Sequence, residues 1–531
     1  MSDAAPTRTY NLGDLIEMVA EAVPDRLAVI AGGTRLTFRE FDERTNQVAR
    51  TLLDLGLEPG AKVAMYSWNR AEWAEVFFGA FKARVVPINI NYRYVAHELA
   101  YVLENSDAEV LIFERSFAPT VAEILPGLPK LKATIVIDDG SDEDAGAAGG
   151  YHELVGAQPP GPIGNQRSSD DLYFLYTGGT TGMPKGVMWS HEDIFFAALS
   201  GAIGAPLEQP EQIKERSLPE DFARPALIVA PLMHGAAQWG MCNLLFAGAG
   251  VVLYTQRGLD PHEIWDIVER ERCMTLTIVG DAMGRPLADA LADGTRSYDL
   301  SGFYRVGSGG GVFSPAVQAA IKEQVPHVQV MDSYGASEMG AGGTSAEGGA
   351  RRFVVSPELN VLDEDLRPVK PGEIGRLART GHIPLGYYKD EAKTAATFPV
   401  DPDGRRWSVP GDFATIDDDG VVTLLGRGSQ CINTGGEKVY PEEVEEALKS
   451  HPDVYDALVV GVPDERWGER VVAVVQARGD ARPTVEEISH HCRHTLAGYK
   501  VPRAITYVGA VQRSPAGKAD YRWAKEQASA R

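Results

Sequence analysis

The run at residues 176–186, YTGGTTGMPKG, combines hydroxyl groups, a flexible backbone and a single cation. It follows an apolar segment at 171–175 and comes before a predicted helix at 192–199. Glycines allow successive backbone N–H groups to converge on an anion, threonines add hydroxyl donors, and Lys185 adds a positive charge. The run therefore predicts a polyphosphate-binding loop between a strand and a helix.

This loop is not a Walker A loop. That pattern needs lysine directly after its last glycine, followed by serine or threonine. Here Met183 and Pro184 separate Gly182 from Lys185, and Gly186 follows. The alternative is a flexible Gly/Thr linker, which the preceding strand and the single lysine disfavour.

Two further motifs follow predicted strands. A Ser-Gly-Gly-Gly run at 308–311 comes just after Tyr304-Arg305-Val306, and MDSYGASE at 331–338 closes the next strand. Open α/β sheets bind ligands at such strand ends. The glycines allow a flat base to lie against the backbone, Tyr334 can stack on it, and Glu338 is an oxygen ligand suited to Mg²⁺. Taken singly, the glycines could form a tight turn and Glu338 could start a solvated helix.

Three motifs in the last quarter of the chain complete the set. The carboxylate of Asp412, in a Gly-Asp pair, can accept two neighbouring hydroxyl groups, and Arg427 follows a second glycine. A glycine turn at 433–436 leads into a helix with acidic residues in its first turn. Lys518 ends the glycine-containing loop 513–518, from which it could reach a carboxylate and a phosphate together. Alone, Lys518 would be a solvated lysine of a C-terminal tail.

These motifs, in this order from 176 to 518, resemble those of AMP-forming acyl-CoA synthetases in the adenylate-forming (ANL) superfamily. The residues at 176–186 and 431–438 resemble those of an actinobacterial branch of this superfamily that acts on steroid side-chain or long-chain acids. The family usually has Ser at position 179 and Thr at 337, where this chain has Gly179 and Ser337. At position 430 it usually has Asp or Lys, where this chain has Gln430.

The resemblance implies roles for particular residues. The implied catalytic residues are Lys518, Glu338 and Lys185, with Glu338 also the implied metal ligand. The implied ATP-binding residues are Thr177, Gly178, Gly179, Thr180, Thr181, Gly182, Lys185, Gly309, Gly310, Gly311, Asp332, Ser333, Tyr334, Ser337, Asp412, Arg427 and Lys518. Gly435, Gly436 and Lys438 are implied to form the CoA channel, and Gln430 the hinge of a mobile C-terminal domain.

The segment 231–240, PLMHGAAQWG, matches the part of these enzymes that gates the acyl pocket. The expected pocket residues are His234, Gly235, Gly309, Gly335 and Gly340. Small residues leave volume beside the nucleotide, which favours a bulky apolar acid. The segment has no aspartate to pair with the amine of an amino acid, and no carrier module is attached, so peptide synthesis is disfavoured.

The implied reaction uses ATP, Mg²⁺ and CoA as co-substrate. A carboxylate attacks the α-phosphate of ATP to give an acyl-adenylate and pyrophosphate, and CoA then displaces AMP. The alternatives are a medium-chain or aryl acid CoA ligase, an adenylate-forming enzyme that does not use CoA, and a binding protein without activity.

The composition of the chain indicates its number of domains, its partners and its cellular location. The chain has 531 residues, which predicts two or more cores, and its net charge of −23 argues against nucleic acid as a partner. No signal peptide or bilayer-length apolar stretch is evident. Four scattered cysteines favour a reducing, cytoplasmic location. The expected partners are a small carboxylic acid and CoA, with no integral membrane association, and a homodimer is compatible with the composition.

Alternating strand and helix patterns predict an α/β fold. We expect a large N-terminal domain, residues 1–429, with two doubly wound subdomains and a small β subdomain. Residues 430–531 are expected to form a small, mobile α+β domain. The acidic residues at 442–446 are predicted to form a solvated helix face, and the histidines between 490 and 494 a surface helix.

Overall fold

The computed structural model describes residues 7–177, 183–199, 206–220, 223–345, 351–434, 437–464, 467–513 and 518–530. The α-helices are α1 (Leu12–Ala22), α2 (Phe38–Asp54), α3 (Ala71–Lys82), α4 (Ala96–Ser106), α5 (Ala118–Ile124), α6 (Tyr151–Gly156), α7 (His191–Ala198), α8 (Gln212–Ser217), α9 (Gly235–Phe246), α10 (Pro261–Arg270), α11 (Gly280–Ala292), α12 (Pro315–Gln324), α13 (Glu391–Thr397), α14 (Pro441–Lys449), α15 (Val485–Cys492) and α16 (Tyr521–Ser529). None of these described helices is long and apolar enough to cross a lipid bilayer.

The strands are β1 (Leu27–Ala31), β2 (Thr34–Thr37), β3 (Lys62–Tyr66), β4 (Val86–Asn89), β5 (Ala108–Glu114), β6 (Ala133–Ile137), β7 (Gly149–Gly150), β8 (Leu172–Thr177), β9 (Lys185–Ser190), β10 (Ala226–Ile228), β11 (Val251–Leu253), β12 (Thr275–Ile278), β13 (Arg305–Gly309), β14 (Gln329–Ala336), β15 (Gly340–Ser345), β16 (Arg352–Val355), β17 (Leu359–Leu362), β18 (Gly375–Arg379), β19 (Gly386–Tyr387), β20 (Asp412–Ile416), β21 (Val421–Arg427), β22 (Ile432–Thr434), β23 (Glu437–Val439), β24 (Val454–Asp464), β25 (Gly468–Ala477) and β26 (Ala504–Val508).

Local sequence explains where several helices begin. Thr37 and Glu40 form a reciprocal capping box at the start of α2, and Thr484 and Glu487 form another at α15. At α10, the side chain of Asp260 accepts two backbone N–H groups and proline occupies the first helical position.

The large N-terminal part contains two parallel sheets. One is wholly parallel, in the order β4-β3-β5-β6-β7. The other contains parallel neighbours β1, β11, β10, β12, β13 and β14. The largest buried cluster joins side chains of both sheets, such as Val63 and Val251, to aromatic residues of α3. Parallel sheets need cover on both faces, and this shared core provides part of it.

The β subdomain is an extension of the second sheet. Antiparallel strands continue it from β14 through β15, β16, β21, β20 and β18 to β17, so that thirteen strands form one sheet. Strands β8, β9 and β19 make a separate three-stranded antiparallel sheet. In the small C-terminal part, β23, β22, β25 and β24 are antiparallel and β26 runs parallel to β25. The predicted α/β fold class is confirmed.

Two local predictions are wrong. The polyphosphate loop leads into strand β9, not directly into a helix; Val187 and Trp189 alternate with less buried neighbours and pair with β8 before α7 begins. The acidic residues at 442–446 do not form a solvated face, because Glu445 is 2% exposed and its carboxylate accepts the Val459 N–H at 3.0 Å. Docking of α14 against β24 buries this side of the helix.

Candidate active site

The two ends of the predicted polyphosphate loop lie opposite each other in an antiparallel pair. Thr177 is the last residue of β8 and faces Lys185, the first residue of β9. Lys185 Nζ lies 2.5 Å from Asp390 Oδ2, and both side chains are partly exposed. Gly178, Gly179, Thr180, Thr181 and Gly182 lie outside the described residues. A polyphosphate that binds Lys185 therefore has to compete with the Asp390 carboxylate.

Asp412 is at the centre of a polar group formed by three strands. Tyr334 Oη, on β14, donates a hydrogen bond of 2.6 Å to Asp412 Oδ2. Arg427 Nε, on β21, donates to Asp412 Oδ1 at 3.3 Å. Strands β20 and β21 pair Asp412 directly with Arg427, which explains why residues fifteen positions apart meet here. This carboxylate has the charge and position to accept ribose hydroxyls.

Glu338 lies in the turn between β14 and β15. Its Oε1 accepts a hydrogen bond of 2.9 Å from Tyr387 Oη. Its backbone oxygen accepts from the hydroxyl of Ser408 at 2.5 Å. The turn is thus fixed by two other segments, and the carboxylate has a defined orientation.

Lys518 comes from the C-terminal part of the chain and lies near this carboxylate. Charge–charge interactions link its ammonium to Arg427, Glu338 and Asp412. The side chain keeps access to solvent, but removal of part of its hydration, and next the nearby Arg427, lower the pKa of Lys518. Four of the predicted catalytic or nucleotide-binding groups, from two parts of the chain, thus lie close enough for their charges to interact. Ser514 to Gly517, which precede Lys518 in its loop, lie outside the described residues.

The predicted adenine wall lies where β13 and β14 end. Gly310 has a φ of +82°, a conformation that favours glycine, and a Cβ on Gly309 would lie 3.6 Å from the Ser333 oxygen. Asp332 is 5% exposed, and burial raises its pKa to about 8. Asp332 is accordingly protonated at neutral pH and can donate a hydrogen bond. A Cβ on Gly311 would lie 3.1 Å from Val279, which precedes α11.

Ser337 contributes to the site through its backbone. Its oxygen accepts a hydrogen bond of 3.0 Å from the indole of Trp189, on β9. This contact joins the Glu338 turn to the strand that carries Lys185. The sequence offers no sign of it, because 148 residues separate the two partners.

His234 directly precedes α9 and is one of the predicted acyl-pocket residues. Its Nε2 is buried and has no hydrogen-bond partner among the residues that the structure describes. Burial, and then the positive charges of Lys518 and Arg93, lower its pKa to about 3. His234 is therefore neutral at physiological pH.

The small residues of the predicted acyl pocket fall into two groups. A Cβ added to Gly309 or Gly310 would lie 3.8–4.0 Å from Ala236, whereas a Cβ on Gly235 would lie 2.6 Å from Leu175 and one on Gly335 would lie 2.8 Å from the Gly340 oxygen. Gly340 does not open space. It has a φ of +75°, and a Cβ there would lie 2.9 Å from Ala197. Gly235, Gly335 and Gly340 are thus closely packed, and the assignment of these residues to an acyl pocket stays a prediction.

The predicted hinge and CoA residues lie where the two parts of the chain join. Gln430 ends a short 3₁₀ turn, Gly428–Gln430, directly after β21 of the large sheet and before β22 of the small one. Lys438 is exposed on β23, with Nζ 5.8 Å from the ring centre of Phe413. Gly435 and Gly436 lie outside the described residues.

Four residues that sequence reasoning did not select also belong to the site. Asp390 pairs with Lys185, Tyr387 orients Glu338, Arg93 lies near His234, and Trp239 lies beside Gly235 and Gly335. Trp239 stands in the gate segment and its size could have marked it. The others belong to no motif.

Comparison with protein families gives two matches. Residues 16–388 match the AMP-binding enzyme family, and residues 443–518 match the AMP-binding enzyme C-terminal domain. The first match covers more than half of the chain, and the chain belongs to the AMP-binding enzyme family. The predicted membership of the adenylate-forming enzymes is confirmed.

Relatives within the family are CoA ligases by name. The chain is 45% identical over 538 residues to a 3-oxocholest-4-en-26-oate–CoA ligase of Rhodococcus rhodochrous, covering 98% of this chain and 96% of the relative. It is 45% identical to a medium/long-chain-fatty-acid–CoA/3-oxocholest-4-en-26-oate–CoA ligase of Mycobacterium tuberculosis, with the same coverage. It is 43% identical to the medium-chain acyl-CoA ligase Mig of Mycobacterium avium, covering 99% of this chain and all of that protein. The prediction of an AMP-forming acid–CoA ligase is confirmed.

A solved structure has the same fold over its whole length. The anthranilate CoA ligase AuaEII in complex with anthranoyl-AMP superposes with a TM-score of 0.85 at 26% identity, covering 99% of both chains.

Proposed function

We propose that this protein is an ATP-dependent acyl-CoA ligase that acts on a bulky apolar carboxylic acid, either a steroid side-chain acid or a long-chain fatty acid. The relatives named for such acids support this proposal over almost the whole chain. Gly309, Gly310 and Ala236 support it from the site, because a Cβ added to either glycine would meet its nearest neighbour only at 3.6–3.8 Å.

The observation that carries the proposal is that Lys518, from the C-terminal part of the chain, lies close enough to Glu338 and Asp412 for their charges to interact. In the first half-reaction, a carboxylate oxygen of the acid attacks the α-phosphorus of ATP. The new O–P bond forms as the bond from the α-phosphorus to the bridging oxygen breaks, and pyrophosphate leaves with that electron pair. Lys518 reduces the repulsion between the two anions, and Lys185 binds the departing phosphates once they displace Asp390.

Glu338 is the residue that would hold Mg²⁺. Magnesium is usually bound by one or two carboxylates together with substrate phosphates, so a single oriented carboxylate fits this ion. When bound, Mg²⁺ would neutralise charge on the phosphates. The hydrogen bond from Tyr387 keeps the Glu338 carboxylate turned into the site.

The second half-reaction needs a different arrangement of the small domain. The CoA sulfur attacks the acyl carbonyl carbon, a C–S bond forms, and the C–O bond to AMP breaks. We expect the domain, residues 430–531, to turn about Gln430, withdrawing Lys518 and bringing Gly435, Gly436 and Lys438 to the CoA channel. His234 is uncharged, which suits contact with an apolar acyl chain.

The relative named as a medium-chain ligase supports a second candidate, a medium-chain acid. A panel of 3-oxocholest-4-en-26-oate, hexadecanoate, octanoate and benzoate separates the candidates. We expect acid-dependent pyrophosphate release without CoA, and AMP and acyl-CoA after CoA is added, with highest kcat/KM for one of the first two acids. Better turnover of octanoate or benzoate would overturn the bulky-acid proposal, and failure of CoA to accept the acyl group would overturn the ligase.

Lys518→Ala tests the catalytic assignment. Loss of its charge from the transition state is expected to slow pyrophosphate release by roughly 10²–10³-fold. Lys525→Ala is the matched control, since Lys525 is an exposed lysine of α16 whose nearest carboxylate is 3.8 Å away. Unchanged release in Lys518→Ala would show that Lys518 is not catalytic.

Location and assembly are also proposals. Cys242, Cys273 and Cys492 are buried thiols without disulfides, which suits a cytoplasmic setting. A homodimer is a prediction that sedimentation velocity tests directly.

A further inference from the structure

A chain of charged groups runs from the nucleotide wall to the base of the Lys518 loop. Asp281 lies in the first turn of α11 and is 6% exposed. Its Oδ1 accepts the Ser314 N–H at 2.8 Å, and its own N–H donates to the Val312 oxygen at 2.8 Å. Asp281 is therefore fixed to the segment that directly follows Gly311.

The other oxygen of Asp281 faces the C-terminal part of the chain. Oδ2 is buried and has no hydrogen-bond partner within the described ranges, but Lys449 Nζ lies 3.7 Å away. Lys449 is the last residue of α14, and its side chain is 1% exposed. A buried ammonium needs carboxylates around it, and Asp281 supplies one of them from the large domain.

Within the C-terminal part, the same lysine connects to the loop of Lys518. Lys449 Nζ lies 3.9 Å from Asp456 Oδ1, on β24. Asp456 accepts two hydrogen bonds from Arg513, at 2.7 and 2.9 Å. Arg513 pairs with Ala519 in an antiparallel bridge that closes the loop carrying Lys518.

Two other hydrogen bonds between the two parts lie nearer the surface. The Arg351 guanidinium donates to Glu446 at 3.0 Å, and Tyr455 Oη donates to Asp289 at 3.4 Å. Both involve groups that water can replace, so their loss leaves no charge without a partner. Loss of the Asp281 carboxylate leaves the buried Lys449 with fewer counter-charges.

We propose that Asp281 and Lys449 are a positioning pair that fixes the small domain with Lys518 in the site, and that the pair supports adenylate formation but not thioester formation. The pair joins two domains that must separate for CoA to reach the acyl-adenylate. It touches neither the acid nor the transferred phosphate, so it acts through Lys518. This inference rests on the proposed two-step reaction.

Asp281→Asn is the first test, because asparagine keeps the Oδ1 acceptor for Ser314 and the side-chain volume while removing the charge. Two rates are measured with the acid that wild type uses best. The first is pyrophosphate release without CoA, and the second is acyl-CoA formation from chemically synthesised acyl-adenylate and CoA. We expect the first rate to fall about ten- to a hundredfold, as for a displaced catalytic group, and the second to stay within about twofold.

Lys449→Met and the double variant show whether the two residues act together. Methionine fills the space of lysine without a charge but leaves the carboxylates of Asp281 and Asp456 with fewer counter-charges, so urea unfolding of this variant is measured together with the two rates. Lys449→Met should show the same selective loss, and the double variant should be no slower than the slower single variant. Asp293→Asn, at the other end of α11 and paired with His262 of the same domain, is the matched control and should keep both rates.

Three results would overturn the proposed positioning role of Asp281 and Lys449. These are unchanged pyrophosphate release in Asp281→Asn, equal loss of both rates, and losses that multiply in the double variant. If the wild-type protein released no pyrophosphate with any acid, the proposed function would be wrong. If the wild-type protein were active and Asp281→Asn equally active, only the proposed role of the Asp281–Lys449 pair would be wrong. Thioester formation from synthetic adenylate also reports that each variant is folded.

Discussion

Replacing Glu442 by glutamine is expected to stabilise the protein at alkaline pH and leave its stability unchanged near pH 4.5. Glu442 lies in the first turn of α14, packed against Gly426 so closely that a Cβ there would overlap its carboxylate. Its Oε2 is buried and has no hydrogen-bond partner in the described parts of the chain. Burial, and then the nearby Glu445, raise the pKa of Glu442 from 4.5 to about 7.

The direction of the pH effect follows from these two pKa values. Below pH 4.5 the carboxyl is protonated in both the folded and the unfolded protein, so the raised pKa does not change the free energy of unfolding. Between pH 4.5 and 7 the unfolded chain loses this proton while the folded protein keeps it, so the free energy of unfolding falls by about 1.4 kcal/mol per pH unit. Above pH 7 the loss is complete, at most about 3.5 kcal/mol. Partial solvent access reduces the expected value to about 1–3 kcal/mol.

Urea unfolding of wild type and Glu442→Gln at pH 5, 6, 7 and 8 measures this difference. The variant should gain over wild type from pH 5 to pH 7 and then keep a constant advantage. Glu443→Gln is a matched control on the same helix. Glu443 accepts from Lys500 at 2.6 and 2.7 Å, so its replacement should cost about 0–1 kcal/mol at neutral pH. A difference between Glu442→Gln and wild type that does not change with pH, or that favours wild type at pH 8, would refute the raised pKa.

Three further substitutions test parts of the site. Ala236→Phe fills the space in front of Gly309 and should lower kcat/KM about tenfold for a bulky acid relative to hexanoate; an equal loss for both acids would contradict the pocket. Tyr387→Phe removes the hydrogen bond to Glu338 and should raise the Mg²⁺ concentration needed for half-maximal pyrophosphate release about tenfold, whereas an unchanged requirement would argue against Glu338 as the ligand. Arg379→Met leaves three backbone oxygens without their buried donor and should cost about 3 kcal/mol in urea unfolding; a cost below about 1 kcal/mol would show that water replaces the guanidinium.

Much of the fold and of the site could be predicted because the relevant patterns are short. Apolar runs such as 62–66 and 110–113 predict the parallel strands β3 and β5, which lie side by side. Asp412 and Arg427 belong to separate motifs, and the hairpin of β20 and β21 places them opposite each other. Local chemistry and one turn are enough to explain this pair.

Contacts between distant parts of the chain could not be predicted in this way. Asp390 follows Lys185 by 205 residues and belongs to no motif, although it is the lysine's partner. Glycine at 340 suggested pocket volume, but only the position of α7 shows that the space is filled. The prediction for the acidic residues of α14 failed for the same reason. Their spacing is typical of a solvated helix face, but β24 packs on this side of the helix and its Val459 N–H binds Glu445.

The continuous thirteen-stranded sheet also determines where this protein can be divided. Because β14, β15 and β16 hydrogen-bond in succession, the doubly wound subdomain and the β subdomain share backbone hydrogen bonds along their boundary. A chimera that exchanged only one of them with a relative would have to rebuild a strand pair across two unrelated sequences. The short turn Gly428–Gln430 is where the chain passes from this sheet to the small one. Exchange of acid specificity between relatives is therefore best attempted with the whole of residues 1–429 as one module.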